Sequence, residues 1–315
     1  MLGQSPATNG VVGMGIKPPQ SLHSSHTLCY ELKRADYDTA VIGKAAHQAN
    51  PPEEHGFDYV RSDYNEWLAS KTNKWQGGVK AHGIGGNAWN ARPWHMEEWQ
   101  HKTNWLTESC IEYLEQHDPA KPFFLMAGYS APHPPLTPPE AYYDRYMRMD
   151  DLGAPHIGDW ATPPPNGGTG VGAGSRWVDL HGEWLRQCYS GYYGLINHLD
   201  DQFERLRWTL NSTNQLNNTY VIYVSDHGEM LGDHYLFRKS LPYEGAMHVP
   251  LIITGPDIKR YTEVKEPVVV QDVTPTILDL AGLDIPDIID ARSLAPRLRG
   301  DQHDARDFIH SEFAE

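Results

Sequence analysis

The residues with the most chemical potential sit just past short apolar runs. Tyr220-Val221-Ile222-Tyr223-Val224 gives way to Ser225-Asp226-His227-Gly228, and Lys239 follows thirteen residues after Asp226. A carboxylate and an imidazole side by side at the end of a buried strand make a corner for a divalent cation or for proton transfer. Two earlier runs end in a similar way. Thr39 to Ile42 leads to Lys44 and then His47, and Phe123 to Ala127 leads through Tyr129-Ser130-Ala131 to His133. Taken singly, each residue has an ordinary alternative: a solvated lysine, a loop histidine, or a helix-capping Asp226. Taken together they suit a reaction on an anionic group. Lysines and a cation would stabilise charge on its peripheral oxygens, and a histidine would protonate the leaving oxygen.

Such convergence requires strands that end on one rim. Residues 27–36 read as a helix, with Leu28 and Leu32 one turn apart. Thr39–Ile42, Phe123–Ala127, Tyr220–Val224 and Val249–Ile253 read as strands. Helices are expected over 103–117, over Leu180–Leu210, where apolar residues step by three and four, and over Val273–Ala281, stopping at Gly282. Residues 60–100 lack clear periodicity and read as a long excursion over the sheet rim, and 162–174, with its prolines and glycines, as a flexible loop. The strand cores are continuous apolar runs that alternate with helices. That pattern predicts an α/β fold with a mainly parallel central sheet and helices on both faces. Open sheets of this kind bind ligands at the carboxyl ends of their strands.

Composition narrows the partners. The net charge of −15, without a Lys/Arg block, argues against nucleic acid and anionic membrane. It leaves room for an anionic substrate in a local cationic pocket. No apolar stretch approaches the roughly 18 residues of a membrane span, and the first residues do not read as a signal peptide. Cys29, Cys110 and Cys188 show no close spacing, so a disulfide framework is not expected and Cys29 reads as a buried thiol. Asn211-Ser212-Thr213 and Asn217-Asn218-Thr219 match the glycosylation acceptor pattern.

The stretch from Asp226 to Pro256, with Asp226-His227-Gly228, Lys239 and Pro242-Tyr243-Glu244-Gly245, resembles the sulfatase family of the alkaline-phosphatase superfamily. Ala40-Val41-Ile42-Gly43-Lys44, Gly56-Phe57-Asp58-Tyr59, Ser130-Ala131-Pro132-His133-Pro134 and Asp272 to Gly282 resemble further family segments in the same order. The resemblance implies a sulfuric ester hydrolase acting on a small-molecule or carbohydrate sulfate ester. Lys44, His133 and Lys239 would bind the sulfate, with Lys44, His47, His133 and Lys239 in catalysis. Asp226 and His227 would hold a divalent cation, Ca²⁺ first, with Mg²⁺, Mn²⁺ or Zn²⁺ as alternatives. Glu229 and Glu244 are expected to orient these groups and fix the loop. A periplasmic or secreted location is implied in the same way.

Two features depart from the family pattern. His47 stands three residues after Lys44 where the family has a histidine two residues after. No C-x-P-S-R or S-x-P-S-R nucleophile motif occurs in the sequence. The expectation is therefore a catalytic domain over 1–282 without its first strand and formylglycine nucleophile, inactive alone, followed over 283–315 by the start of a smaller subdomain. The alternatives are a phosphonate or phosphate-ester hydrolase of the same superfamily and a non-catalytic remnant of it.

Overall fold

The computed structural model describes residues 2–10, 26–44, 52–72, 78–165, 176–301 and 305–311; His47 lies outside them. The strands are β1 (Asp38–Gly43), β2 (Tyr59–Arg61), β3 (Phe123–Gly128), β4 (Val221–Val224) and β5 (Leu251–Thr254). The helices are α1 (Pro6–Asn9), α2 (Leu28–Arg34), α3 (Tyr64–Lys71), α4 (Lys102–Gln116), α5 (Glu140–Met147), α6 (Gly182–Ser212), α7 (Glu244–Met247), α8 (Val273–Leu280) and α9 (Ala295–Arg299). Strands and helices alternate as the apolar runs predict. The excursion over 60–100 holds β2 and α3, and α5 follows the proline-rich loop; neither helix has a periodic apolar stripe long enough to read from sequence.

β1 pairs in parallel with β2 on one side and with β3 on the other, Asp38 to Gly43 facing Phe123 to Gly128 in register. β4 pairs antiparallel with β5. Side chains of β3 alternate between two layers, as strand geometry demands. Phe123, Leu125 and Ala127 pack on the core of α4 and α6 around Leu106, Cys110, Leu206 and Leu210. Phe124 and Met126 face the other way, toward α2, α8 and Val41. Helices thus cover both faces, which is why β1 and β3 carry no polar alternation. The three cysteines are free and buried, and burial pushes the Cys29 thiol up to about 12.

Residues past α8 fold back onto the start of the chain. Ser5 and Thr8 bond the Asp290 carboxylate. The fully buried Asp272 accepts two bonds from the Arg306 guanidinium, at 2.5 and 2.7 Å, and one from the Arg292 backbone. A buried carboxylate is tolerable only with such pairing.

Two glycines set the rim. Gly43 ends β1 with φ of +89°, and the next residue, Lys44, donates its N–H to the Gly128 carbonyl at 2.8 Å. A Cβ on Gly128 would collide with the Lys44 carbonyl. Gly128→Ala is expected to destabilise the protein by about 1–3 kcal/mol through this overpacking. Gly86→Ala, where a Cβ meets nothing within 4 Å, serves as the neutral comparison in urea unfolding.

A second consequence follows from two buried imidazoles between α4 and α6. The rings of His101 and His198 lie 5.0 Å apart. Burial holds them down to about 3 and about 4 respectively, so both are neutral when folded. Neither ring nitrogen of His198 has a hydrogen-bond partner among the described residues. The unfolded chain protonates these histidines near 6.5 and the folded chain does not, so stability present above pH 6.5 is lost as pH falls toward 4. His198→Phe is expected to flatten this slope, read as unfolding free energy at pH 7, 6, 5 and 4.

Candidate active site

Four loops meet at the rim. Lys44 follows β1, Ser130 to His133 follow β3, Asp226 and His227 follow β4, and Lys239 comes from the long turn between β4 and α7. Lys44 Nζ lies 3.7 Å from Asp226 Oδ2. Lys239 Nζ lies 2.6 Å from His133 Nε2. The rings of His133 and His227 stand edge to face with centroids 5.8 Å apart. Lys44, His133, Asp226, His227 and Lys239 therefore line one cleft.

The hydrogen bonds assign the His133 tautomer. Nδ1 lies 2.7 Å from the Pro134 carbonyl and must donate to it, so Nε2 carries the lone pair that accepts from the Lys239 ammonium. Burial holds His133 below the ordinary imidazole value, and the Lys239, His227 and Lys44 charges push it the same way against the Pro134 bond. His227 Nδ1 faces its own Gly228 carbonyl at 2.8 Å. Its Nε2 is left 3.7 Å from Asp226 Oδ1. Asp226 is exposed and accepts the His227 backbone N–H at 3.1 Å.

The turn bearing Lys239 is held by unusual backbone. Leu231, His234, Tyr235 and Arg238 all adopt positive φ, a conformation that side chains disfavour and that surrounding structure must enforce. Bonds from Met230 N to Arg238 O and from Phe237 N to Arg176 O supply that enforcement. Glu229 is buried against the same turn, and its Oε1 accepts the Met230 N–H at 3.2 Å. Burial raises its carboxyl to about 7, with the Lys239 charge opposing. Glu244 is exposed and bonds His248 at 2.6 Å. Gly228 donates its N–H to the Ala246 carbonyl, and a Cβ there would strike the Gly245 carbonyl. This contact packs the Pro242-Tyr243-Glu244-Gly245 turn under the Asp226-His227 corner.

The donors present do not complete a cation shell. Asp226 and His227 are two side chains of types that can ligate a cation, and no group of three or more His, Cys, Asp or Glu with metal-site geometry occurs among the described residues. Ca²⁺ takes six to eight oxygens. The dominant charge on the rim is positive.

The family model described as Sulfatase matches residues 1–283. The chain belongs to the sulfatase family. It is 33% identical, over 99% of its length, to an arylsulfatase of Clostridium perfringens, of which it spans 69%. It is 28% identical to a choline-sulfatase of Rhizobium meliloti over 95% of this chain and 61% of that protein. The crystal structure of the phosphonate monoester hydrolase of Agrobacterium radiobacter superimposes with a TM-score of 0.78 at 23% identity, over 96% of this chain and 66% of that one. That likeness concerns fold alone. The chain thus spans about two thirds of the length of these relatives.

One cation of this sulfatase chain escapes a motif reading. Lys102 begins α4, and its Nζ donates to Ser130 Oγ at 3.0 Å, beside His133 on the same loop. Burial and the Lys44 charge hold its ammonium below the usual lysine range. Lys239 is depressed as well, chiefly by burial. A lysine at a helix amino terminus opposes the helix dipole, and that misfit was the available signal. Three ammonium groups crowded on one rim are expected to bind a doubly charged anion. Lys44→Met, Lys102→Met and Lys239→Met should each weaken inorganic sulfate binding about tenfold in calorimetry. An unchanged constant for Lys102→Met would remove it from the site.

Proposed function

We propose that this chain carries the ester-binding and leaving-group machinery of a sulfate-ester hydrolase. The observation that supports it most is the pairing of Lys239 with His133 across from Lys44 and Asp226. A sulfate ester entering the cleft would take its hydrogen bonds from Lys44, Lys102 and Lys239. When the Lys239 ammonium turns to an ester oxygen, His133 Nε2 is released. Nδ1 remains tied to Pro134, so Nε2 is the ring position that would first take a proton, from the Lys239 ammonium that leaves as the neutral amine or from water, and then pass it to the leaving oxygen. The tie also keeps the ring facing the cleft. Charge on the sulfuryl oxygens is offset by lysines in a half-buried site, where each interaction is stronger than in water.

A divalent cation, if bound, would sit against Asp226 and His227 and stabilise charge on a sulfate oxygen. These two residues alone would hold it weakly. The nearby hydroxyls already have partners: Ser130 Oγ accepts from Lys102, and Ser225 Oγ donates to the His227 carbonyl. Neither is set up by an adjacent base as a nucleophile. The chain alone is therefore proposed to bind sulfate esters without turning them over. A phosphonate or phosphate ester is the second reading, supported by the fold of the Agrobacterium hydrolase. A tetrahedral monoanionic ester of either kind meets the same lysines.

The test uses purified residues 1–315 with Ca²⁺, Mg²⁺, Mn²⁺ or Zn²⁺ in turn, offered an aryl sulfate and an aryl phosphonate ester. Binding without turnover is expected, with cation affinity weak and lowered further by Asp226→Ala. Turnover that disappears in Asp226→Ala would mean that the chain holds a complete site. Tighter binding of the phosphonate than of the sulfate would favour the second reading.

A further inference from the structure

The turn that carries Lys239 also holds a cluster of rings that ester binding leaves unused. Trp160 stacks on Tyr243, with centroids 5.5 Å apart and planes 14° off parallel. His234 packs against both, at 4.7 and 5.1 Å, and His156 stands edge to face with His234 at 5.5 Å. The distances among Trp160, Tyr243 and His234 close a nearly equilateral triangle. Tyr243 and His234 therefore sit to one side of the indole rather than on its opposite faces. Trp160 is 58% exposed, which leaves the other face open. Single exposed apolar side chains are ordinary, but contiguous ones at a surface mark a binding patch.

The rings are fixed in place. His156 N–H donates to Asp233 Oδ1 at 2.7 Å, Gly158 N–H to His234 Nδ1 at 3.0 Å, and His234 N–H to the His156 carbonyl at 2.9 Å. The indole lies against Gly158, where a Cβ would come within 2.6 Å of Trp160 Nε1. Because His234 Nδ1 accepts, Nε2 carries the proton and is a donor for a hydroxyl. Groups ordered in advance bind without paying that entropy on association. The stack also joins the cleft through the backbone. Tyr243 O accepts the Ala246 N–H at 3.0 Å, and Ala246 O accepts the N–H of Gly228, the residue after His227, at 2.8 Å.

A cage of rings around a hollow suits a quaternary ammonium. These rings pack on one another and leave one flat face and one donor instead. A pyranose whose substituents are all equatorial has faces of axial C–H groups, whose partial positive charge suits the negative face of an indole. Its hydroxyls suit the His234 donor. Among the described residues, none of the four rings makes a ring contact with His133 or His227. A group bonded directly to the ester oxygen stays beside His133, so the stacked unit is a further one in the same molecule.

We propose that Trp160, backed by Tyr243, is a stacking platform for a neutral β-glucose-like unit of an oligosaccharide whose sulfate ester lies among Lys44, Lys102 and Lys239. The assignment rests on the reading of that cleft as an ester-binding site. It adds a preference for a sulfated oligosaccharide over a sulfated monosaccharide.

The probes are inorganic sulfate, glucose sulfated at its primary hydroxyl, cellotriose, and cellotriose sulfated at one terminal primary hydroxyl, each titrated calorimetrically into the 315-residue chain. The unsubstituted chain is expected to bind the sulfated trisaccharide about fivefold more tightly than the sulfated glucose. Trp160→Ala is expected to remove that margin and to leave sulfate and sulfated glucose unchanged. Trp160→Phe, which keeps a flat ring, is expected to retain most of it. The platform is overturned if the two sulfated sugars bind equally, or if Trp160→Ala weakens both alike or neither. It is also overturned if Trp160→Ala weakens an aryl sulfate, since the face then takes the ring next to the ester. Failure of the ester-binding reading has a different sign: Lys239→Met binds sulfate and sulfated glucose as the unsubstituted chain does. Neutral cellotriose then decides the platform by itself. Loss of its binding in Trp160→Ala keeps the platform, and equal binding or none removes it.

Discussion

The rim depends on one close approach of backbone. β1 and β3 run in register to their last residues, and there Gly43 and Gly128 let the chains meet without a Cβ between them. The Lys44 N–H reaches the Gly128 carbonyl because of it. From that junction, Lys44 enters the cleft on one side, and the Tyr129–His133 loop leaves on the other. A similar glycine contact, Gly228 against Gly245, seats the Asp226-His227 corner over the turn before α7. The reactive side chains are placed by residues that have no side chain of their own.

Electrostatics then works against the charge of the whole chain. A protein of net charge −15 gathers three lysines around one cleft, and two of them are held below their ordinary range. Crowding like charges in a half-buried site is unfavourable until an anion arrives. The hydrogen bond from Lys239 to His133 and the Ser130 oxygen at Lys102 share out these protons while no anion is bound. The buried Glu229 beside the Lys239 turn adds a carboxyl that burial raises to about 7, with the Lys239 charge opposing.

Much of this was legible in the residues. Continuous apolar runs gave β1, β3 and β4, and the polar residues just beyond each run are the ones that meet. The long three-and-four stripe gave α6. Other features escaped. β2 and α3 are short and built around Tyr64, Trp67 and Trp105 packing, which carries no period. Lys102 lies in no motif and reaches the site only because α4 packs beside β3. The division of the strands between two sheets could not be read, because an apolar run carries no mark of which other run it pairs with. His47, one position from its place in the family pattern, lies outside the described residues.

The register of β1 with β3 has a consequence for how the chain is made. Asp38 pairs with Phe123, roughly 85 residues later. At ribosomal rates of about 5–20 residues per second, β1 is out for about 4–17 s before its partner on that side exists. Through that interval Ala40, Val41 and Ile42, all fully buried in the end, have nothing on that edge to pair with. The nascent chain therefore carries this apolar segment with one backbone edge unpaired, open to wrong pairings, until residue 128 has been added.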